Sequence, residues 1–426
     1  MPENGLIFRP GPLRGSIGVP GDKSISHRAL IAGARCEAPL HIANLNPGRD
    51  VRATREALNA LGASVRTENG RVVVRGGALV APSAALDCMN SGSTVRMLLG
   101  LCAGANLPVG FDGDASLRRR PMEPVAAQLR AFGARIETTD GRLPVRLRGT
   151  PEVQTRHFIL LTPSAQVKTA LLFAGLFGGV GLRVDGDRGS RDHTERLLRY
   201  LGADIEWNEH SVTLVSAAPL RGGVVNVAGD FSAAAFFITG AAITPGSAIL
   251  VRDVGVNATR TGLLEALGAM GAGIELRNQR TISGEPVADI AVEHRPLGPT
   301  NINRDLALRA IDEIPLLALA AAFAPGTTSI AGVSELRSKE SDRIAGIERL
   351  LGAVSVGVAY DAGTLRIAGG SANPRSTIVQ TDDDHRIAMA AAILACASGP
   401  LRIDSAKSLD VSFPSFVSAL DELQKG

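Results

Sequence analysis

Aromatic side chains are scarce in this chain: one Trp, two Tyr and twelve Phe among 426 residues. The formal net charge is only +3, and the arginines are scattered rather than stacked in blocks. With neither stacking rings nor a basic stripe, recognition of nucleic acid is disfavoured; locally basic patches facing an acidic small molecule fit better. Cysteine is scarcer still. Cys36, Cys88, Cys102 and Cys396 lie far apart with no C-x-x-C pairing. That excludes a disulfide framework or a zinc knuckle and leaves buried thiols of a reduced, cytoplasmic protein. No H-x-x-x-H frame occurs, so no metal is expected. No apolar run reaches a membrane span: the longest, near Leu316–Ala324 and Ala388–Ala397, are about half the length needed and predict buried core helices. No signal peptide is expected at the N-terminus. Of 45 basic residues only five are Lys, and Lys23, Lys168 and Lys339 all fall in motif-like stretches. A chain that meets its general need for positive charge with Arg keeps Lys where a compact or titratable ammonium matters; chance is the bland alternative.

What the chain has in quantity is length and glycine. At 426 residues, two domains are expected, and 48 glycines predict many tight turns. The stretch Gly21-Asp22-Lys23-Ser24-Ile25-Ser26-His27-Arg28 follows a short extended run and leads into apolar Ala29–Ala32. The N–H groups of a helix start favour an anion, and Lys23, Ser24 and Arg28 add an ammonium, a hydroxyl and a guanidinium fork. Together they suit a phosphate or carboxylate. The plain alternative is a solvated helix end. No G-x-x-x-x-G-K-[ST] frame fits, so it is not a P-loop.

One pattern recurs. Leu61-Gly62-Ala63 returns as Phe132-Gly133-Ala134, Leu201-Gly202-Ala203 and Met270-Gly271-Ala272, and more weakly as Leu351-Gly352-Ala353. The spacing is about 70 residues, rising to about 80. In each copy an amphipathic helix ends at a Gly suited to a left-handed C′ position, and a short strand such as Val72–Val74 or Val212–Leu214 follows. The pattern predicts six βαβαββ-like units, counting the C-terminal segment.

Other polar clusters fall at expected helix starts: Asn90–Arg96, Ser164–Lys168 and Ser190–Thr194, with a basic loop Asp114–Met122 ending at a helix-starting Pro121. Several such starts suggest a shared anionic pocket. Later come Asp312-Glu313-Ile314-Pro315, the charged run Glu335–Arg343, and Asp382–Arg386 before an apolar helix. Each alone reads more simply as a salt-bridged face or a helix cap.

Together these motifs resemble the 5-enolpyruvylshikimate-3-phosphate synthase family. G-D-K-S-I-S-H-R-A, N-S-G-S-T-x-R, S-L-x-x-R-P-M, S-A-Q-V-K-T-A-L, S-R-D-H-T-E-R, D-E-I-P, S-K-E-S-D-R and D-H-R-I-A-M stand in the family's order across nearly the whole chain. The S-A-Q-V-K and S-R-D-H versions look like the class II bacterial branch. The resemblance implies an α/β fold of two similar domains, each of three βαβαββ repeats around a pseudo-threefold axis, with the active site in the cleft between them. It implies a discontinuous domain of residues 1–19 and 229–426 and an inserted domain of residues 20–228. With only two crossings, near Pro20 and Gly229, such a chain is expected to open without ligand and compact on binding.

The implied reaction transfers the enolpyruvyl group of phosphoenolpyruvate to the 5-hydroxyl of 3-phosphoshikimate and releases phosphate, without cofactor or metal. By motif position, Lys23, Ser24, Arg28, Ser164, Gln166, Ser190, Asp312 and Lys339 would bind 3-phosphoshikimate. Lys23, Asn90, Gly92, Arg120, Gln166, Arg343 and Arg386 would hold phosphoenolpyruvate. Asp312 would be the base for the 5-hydroxyl, and Glu340, with Lys23, would handle the methylene proton. Glyphosate, which competes with phosphoenolpyruvate in this family, is an implied inhibitor, and Gly92 would leave room that a methyl would fill. A monomer is expected. The chain departs from the better-known branch at Ala165, His193, Glu335 and Val411, where that branch has Ser, Tyr, Asn and Lys. Two other readings are a UDP-N-acetylglucosamine enolpyruvyl transferase and a non-catalytic anion-binding scaffold. The first places a reactive Cys in the loop matching Asp114–Arg120, which here carries three arginines and no Cys.

Overall fold

Five of the six sheets formed by the described residues share one topology. Two strands lie parallel, the second pairs antiparallel with a third, and a hairpin adds the fourth. The computed structural model describes residues 6–370, 372–373, 378–405 and 407–426. In the second repeat the strand Leu86–Asp87 leads into the helix Gly92–Gly104 and the parallel strand Val109–Asp112. The helix Glu123–Phe132 and the hairpin Ile136–Thr139/Arg142–Leu147 complete a βαβαββ unit. Three of the sheets borrow a strand from far along the chain. Gly223–Asn226 lies parallel to Leu40–Ala43, Arg14–Gly18 parallel to Ala248–Gly255, and Ile7–Phe8 antiparallel to Leu401–Ile403. The last of these sheets has three strands among the described residues.

The repeated glycines do as their spacing predicts in four copies. Gly62, Gly133, Gly202 and Gly271 have φ of +92°, +119°, +90° and +91°. At Gly202 the amide donates to the Arg199 carbonyl (3.0 Å) and the Ala203 amide to that of Leu198 (2.9 Å), closing the helix end and turning the chain into the next strand. The fifth copy differs: Gly352 is the last helical residue, and Ser355, with φ +68°, takes the left-handed position. Pro121 does not open a helix; Pro124 occupies the first turn of Glu123–Phe132.

The chain divides into two compact units. One comprises residues 1–20, 229–280 and 286–426; the other, inserted, comprises residues 21–228 together with 281–285. The division places Pro20 with the first unit. It also shows a return not expected from the sequence: the tip of the hairpin Gly273–Ile282/Glu285–Glu293 belongs to the inserted unit. Each unit has its own apolar core. The inserted core is centred on three buried helices, Lys23–Gly33, Gly92–Gly104 and Ala165–Gly178. The other contains Phe231–Ile243, Ile314–Ala322 and His385–Ser398. Helices enclosed on all sides have no polar face, so their sequences are rich in Ala, Leu and Gly rather than periodic. Small residues let them touch backbone to backbone: a Cβ on Gly100 would lie 2.1 Å from the Ala170 carbonyl oxygen, and one on Gly104 2.3 Å from that of Ala174. No helix of the described residues is long and apolar enough to cross a membrane.

All four cysteines are buried free thiols. Burial pushes Cys36 and Cys396 up to about 12, and Cys88 and Cys102 higher still. A thiol with a pKa near 12 is about one part in 10⁴ thiolate at pH 8, and the thiolate is the reactive form. Native protein at pH 8 should therefore release no thionitrobenzoate from Ellman's reagent within minutes, and four equivalents after unfolding in guanidinium chloride.

Candidate active site

In the inserted unit Lys23, Ser24, Asn90, Gly92, Ser164 and Gln166 lie at the starts of the three buried helices. Asp22 caps the first, its carboxylate accepting from the Ile25 amide at 2.8 Å; Ser91 and Ser164 cap the others. Lys23 is the first residue of its helix, and its ammonium lies 2.9 Å from Asp50. Arg28, one turn on, is buried. Its Nε donates to the Thr194 hydroxyl (2.7 Å), and its two terminal nitrogens to the Ser24 carbonyl (2.9 Å) and the Thr169 hydroxyl (3.0 Å). Burial pushes Arg28 down to about 10, with Glu195 and Asp22 opposing, so it remains a cation at neutral pH.

A hydroxyl chain ties the helices together. His27 Nδ1 meets Thr54 Oγ1 at 2.7 Å, Thr54 meets Thr94 at 2.8 Å, and Thr94 donates to Ser91 at 2.7 Å. His27 is held well below the ordinary histidine range by burial and by Lys23 and Arg28, so it serves as a neutral linker. Gln166 is fixed from both ends: Arg96 Nη1 donates to its Oε1 (2.7 Å), and its Nε2 donates to Ser93 (3.0 Å). Arg120 donates to Asn90 Oδ1, while Asn90 donates to Asp114 at 2.7 Å. Gly92 opens the second helix. The space a methyl would take there is occupied: a Cβ would lie 2.7 Å from Arg96 Nη1 and 3.5 Å from Arg120 Nη1. The expected empty room is thus filled by an arginine end. Ser164 is committed to its cap, its Oγ accepting from the Val167 amide at 3.4 Å. Ser190 Oγ is buried with no protein hydrogen-bond partner.

In the other unit the cluster centres on Arg343, which is 1 % exposed. Its Nε donates to Asp384 (2.9 Å), Nη2 donates to Glu340 (2.6 Å), and Nη1 lies 3.6 Å from Asp312. Burial works against its charge, but Asp384, Glu340 and Asp312 outweigh it and hold Arg343 above the ordinary arginine value. Arg386, second in its helix, donates to the Asp312 carbonyl at 3.1 Å and places Nη2 3.8 Å from the Asp312 carboxylate. Asp312 thus has two guanidiniums within 4 Å of its carboxylate. Glu313 is fully buried, accepts from Ser232 and lies 3.6 Å from Arg386 Nη1. Lys339 pairs with Glu335, the i,i+4 partner that stands where the better-known branch has Asn. Val411 ends a short 3₁₀ turn, Lys407–Val411.

Sequence reasoning missed the residues that hold the site together: Asp50, Arg96, Thr169, Thr194, Glu313 and Asp384. All but Asp50 sit inside the quoted motifs, and that position was the available signal. Lys168, singled out by its rarity, is not in either cluster. It is 1 % exposed and lies 2.6 Å from both Asp187 and Glu195.

Buried helices of βαβαββ repeats, with cations, amides and carboxylates gathered at their starts, suit anionic ligands, and the architecture is the enolpyruvyl transferase fold. That fold is shared with the enolpyruvyl transferase NikO from Streptomyces tendae, at TM-score 0.78 over 99 % of this chain and 98 % of that one, with 19 % identity. The chain belongs to the EPSP synthase family, 3-phosphoshikimate 1-carboxyvinyltransferase, whose family model matches residues 7–420. It is 45 % identical over 423 residues to a 3-phosphoshikimate 1-carboxyvinyltransferase of Anaeromyxobacter, covering 98 % of each chain. It is 43 % identical over 415 residues to that of Thermus thermophilus, covering 96 % of each. A solved EPSP synthase from Acinetobacter baumannii superimposes with TM-score 0.86 at 37 % identity, over 99 % of this chain and 98 % of that one.

Proposed function

We propose that this protein transfers the enolpyruvyl group of phosphoenolpyruvate to the 5-hydroxyl of 3-phosphoshikimate, releasing phosphate. The observation that carries this is family membership across almost the whole chain, in a molecule whose carboxylates and guanidiniums cluster at Asp312, Glu340, Arg343 and Arg386. Two polyanions must be brought together, and fixed cations offset their repulsion before the reaction begins. Lys23, Ser24, Arg28, Ser164, Gln166, Ser190 and Lys339 are assigned to 3-phosphoshikimate. Asn90, Gly92, Arg120, Arg343 and Arg386, with Lys23 and Gln166, are assigned to phosphoenolpyruvate.

Chemistry proceeds by addition and elimination. Asp312 takes the proton of the 5-hydroxyl as that oxygen bonds to C2 of phosphoenolpyruvate. Glu340, with Lys23, delivers a proton to C3, giving a tetrahedral intermediate. Loss of a C3 proton to the same groups then re-forms the double bond and expels phosphate, which carries away the proton held by Asp312, so Glu340, Lys23 and Asp312 all end as they began. Glu340 is suited to this role because Arg343 fixes one of its oxygens at 2.6 Å.

The reading is tested by phosphate release from phosphoenolpyruvate. Turnover with 3-phosphoshikimate and none with UDP-N-acetylglucosamine is expected. The reverse would assign the protein to the cell-wall branch of the fold, and no turnover with either would favour a non-catalytic scaffold.

Glyphosate is proposed to compete with phosphoenolpyruvate. It is the longer ligand, so bulk added beside it should penalise it more. In Gly92→Ala the methyl pushes against the flexible end of Arg96, at 2.7 Å, and reorganises its hold on Gln166. We expect the ratio of the glyphosate inhibition constant to the phosphoenolpyruvate KM to rise in the variant. An unchanged ratio would remove Gly92 from this discrimination.

A further inference from the structure

The hairpin tip Thr281–Glu285 belongs to the inserted unit although both its strands belong to the other. Ser283 and Gly284, with φ of +48° and +85°, form a two-residue connection of the kind whose twist matches its strands. That fixes Glu285 as the first residue of the returning strand. The tip is fitted to its neighbours. A Cβ on Gly284 would lie 3.0 Å from the Arg196 carbonyl oxygen, and the Ser283 hydroxyl accepts from the Asn226 amide at 2.9 Å.

Glu285 is 4 % exposed, and its Oε1 lies 2.8 Å from Nδ1 of His193, itself 2 % exposed. An ionised carboxylate only accepts, so this contact places a proton on Nδ1 and fixes the ring. The other ring nitrogen, Nε2, is buried with no protein hydrogen-bond partner, as is the Ser190 hydroxyl three residues earlier. His193 opens the helix His193–Tyr200, and its next residue, Thr194, accepts from Arg28 Nε at 2.7 Å. The Thr194 hydroxyl also meets Thr169 at 2.6 Å. The carboxylate of Glu285 is among the charges that favour the cationic form of Arg28. One acidic side chain, delivered by the tip, therefore bears on the ring, the helix start and the guanidinium assigned to 3-phosphoshikimate.

We propose that Glu285 is a positioning residue for 3-phosphoshikimate, acting through the His193 ring on Thr194 and Arg28. It rests on the transfer reaction proposed above. Glu285 itself touches no substrate: it sets the orientation of groups that do, and loosening such support displaces them from productive geometry.

The experiment compares Glu285→Gln, Glu285→Asp and Ser283→Ala with the unaltered protein. It measures the Kd of 3-phosphoshikimate by calorimetry, KM for both substrates, kcat and Tm. Glu285→Gln keeps the shape of the side chain but lets an amide face Nδ1. It should weaken 3-phosphoshikimate binding about tenfold, with the KM of phosphoenolpyruvate changed far less. Glu285→Asp should recover part of that loss. Ser283→Ala, which removes a different anchor of the same tip, should leave the Kd within about twofold. An unchanged Kd in Glu285→Gln overturns the proposal. So does an equal loss in Ser283→Ala, which would make the tip mere packing. An unaltered protein that binds 3-phosphoshikimate but does not turn over strikes the reaction alone, and the Kd comparison still decides the role of Glu285. Failure to bind 3-phosphoshikimate at all overturns both.

Discussion

Asp312→Asn should reduce kcat by roughly 10²–10⁴ while 3-phosphoshikimate binding stays largely intact, the range associated with losing a general base. The amide has nearly the same shape, so the turn before Ile314–Ala322 need not move. It also strands no cation. Arg343 keeps Asp384 at 2.9 Å and Glu340 at 2.6 Å, and Arg386 keeps Glu313 at 3.6 Å and its bond to the residue 312 carbonyl. What disappears is the carboxylate that stands within 4 Å of both Arg343 and Arg386 and is assigned to take the substrate proton. Single-turnover phosphate release beside equilibrium binding separates the two effects. Near-normal turnover would remove Asp312 from the role of base, and loss of binding together with turnover would make it a structural anchor.

Lys168→Met should strongly destabilise the inserted unit. The ammonium lies 2.6 Å from both Asp187 and Glu195, and all three groups are nearly inaccessible to solvent. Removing it leaves two buried carboxylates facing each other. Breaking a buried ion pair by deleting one partner costs about 3–5 kcal/mol. For a unit of this size that corresponds to a fall of roughly 6–20 °C in its unfolding transition. The sign with pH follows from Lys168. Burial alone would lower its pKa, but Glu195 and Asp187 outweigh that and raise it. Its contribution is therefore fully present below the unfolded lysine pKa of about 10.4, and is lost only as pH rises through the higher folded value. The deficit of Lys168→Met should be constant between pH 6 and pH 9. Adding Asp187→Asn and Glu195→Gln to the same chain should recover much of it, because the neutral set has no charge left uncompensated. Calorimetry on the three proteins checks this, and a shift below 2 °C in Lys168→Met would contradict it.

Local features of the site were legible because they are written locally. A cap, a Lys or Arg in the first turn and an apolar run behind them fall within eight residues at Asp22–Ala29, and within a similar window at Asp384–Met389. The repeat was legible for the same reason: a glycine at a helix end needs no distant partner. What could not be read was held by residues far apart in the chain. Lys23 and Asp50, Arg96 and Gln166, Arg28 and Thr194 are pairs whose meeting depends on how the helices pack. The hairpin tip is the extreme case. Nothing in Thr281–Glu285 itself says that those five residues join a unit whose other members end at Ala228. Gly92 was misjudged for a related reason: a glycine announces space, but Arg96, one turn along, fills it.

The borrowed strands set a timetable for synthesis. Arg14–Gly18 leaves the ribosome early, yet its partner Ala248–Gly255 begins 230 residues later (248 minus 18). At 5–20 residues per second that strand waits roughly 10–50 s without a neighbour. Ile7–Phe8 waits longer, for Leu401–Ile403. Over the same interval the inserted unit acquires everything it needs except its five-residue tip, since Gly223–Asn226 closes its first sheet before the next unit has emerged. The later part of the chain thus matures first, and the N-terminal segment is held in reserve as an open template. Solvent-facing arginine and glycine at Arg14 and Gly15 suit such a wait, because an apolar strand left bare that long would recruit other chains.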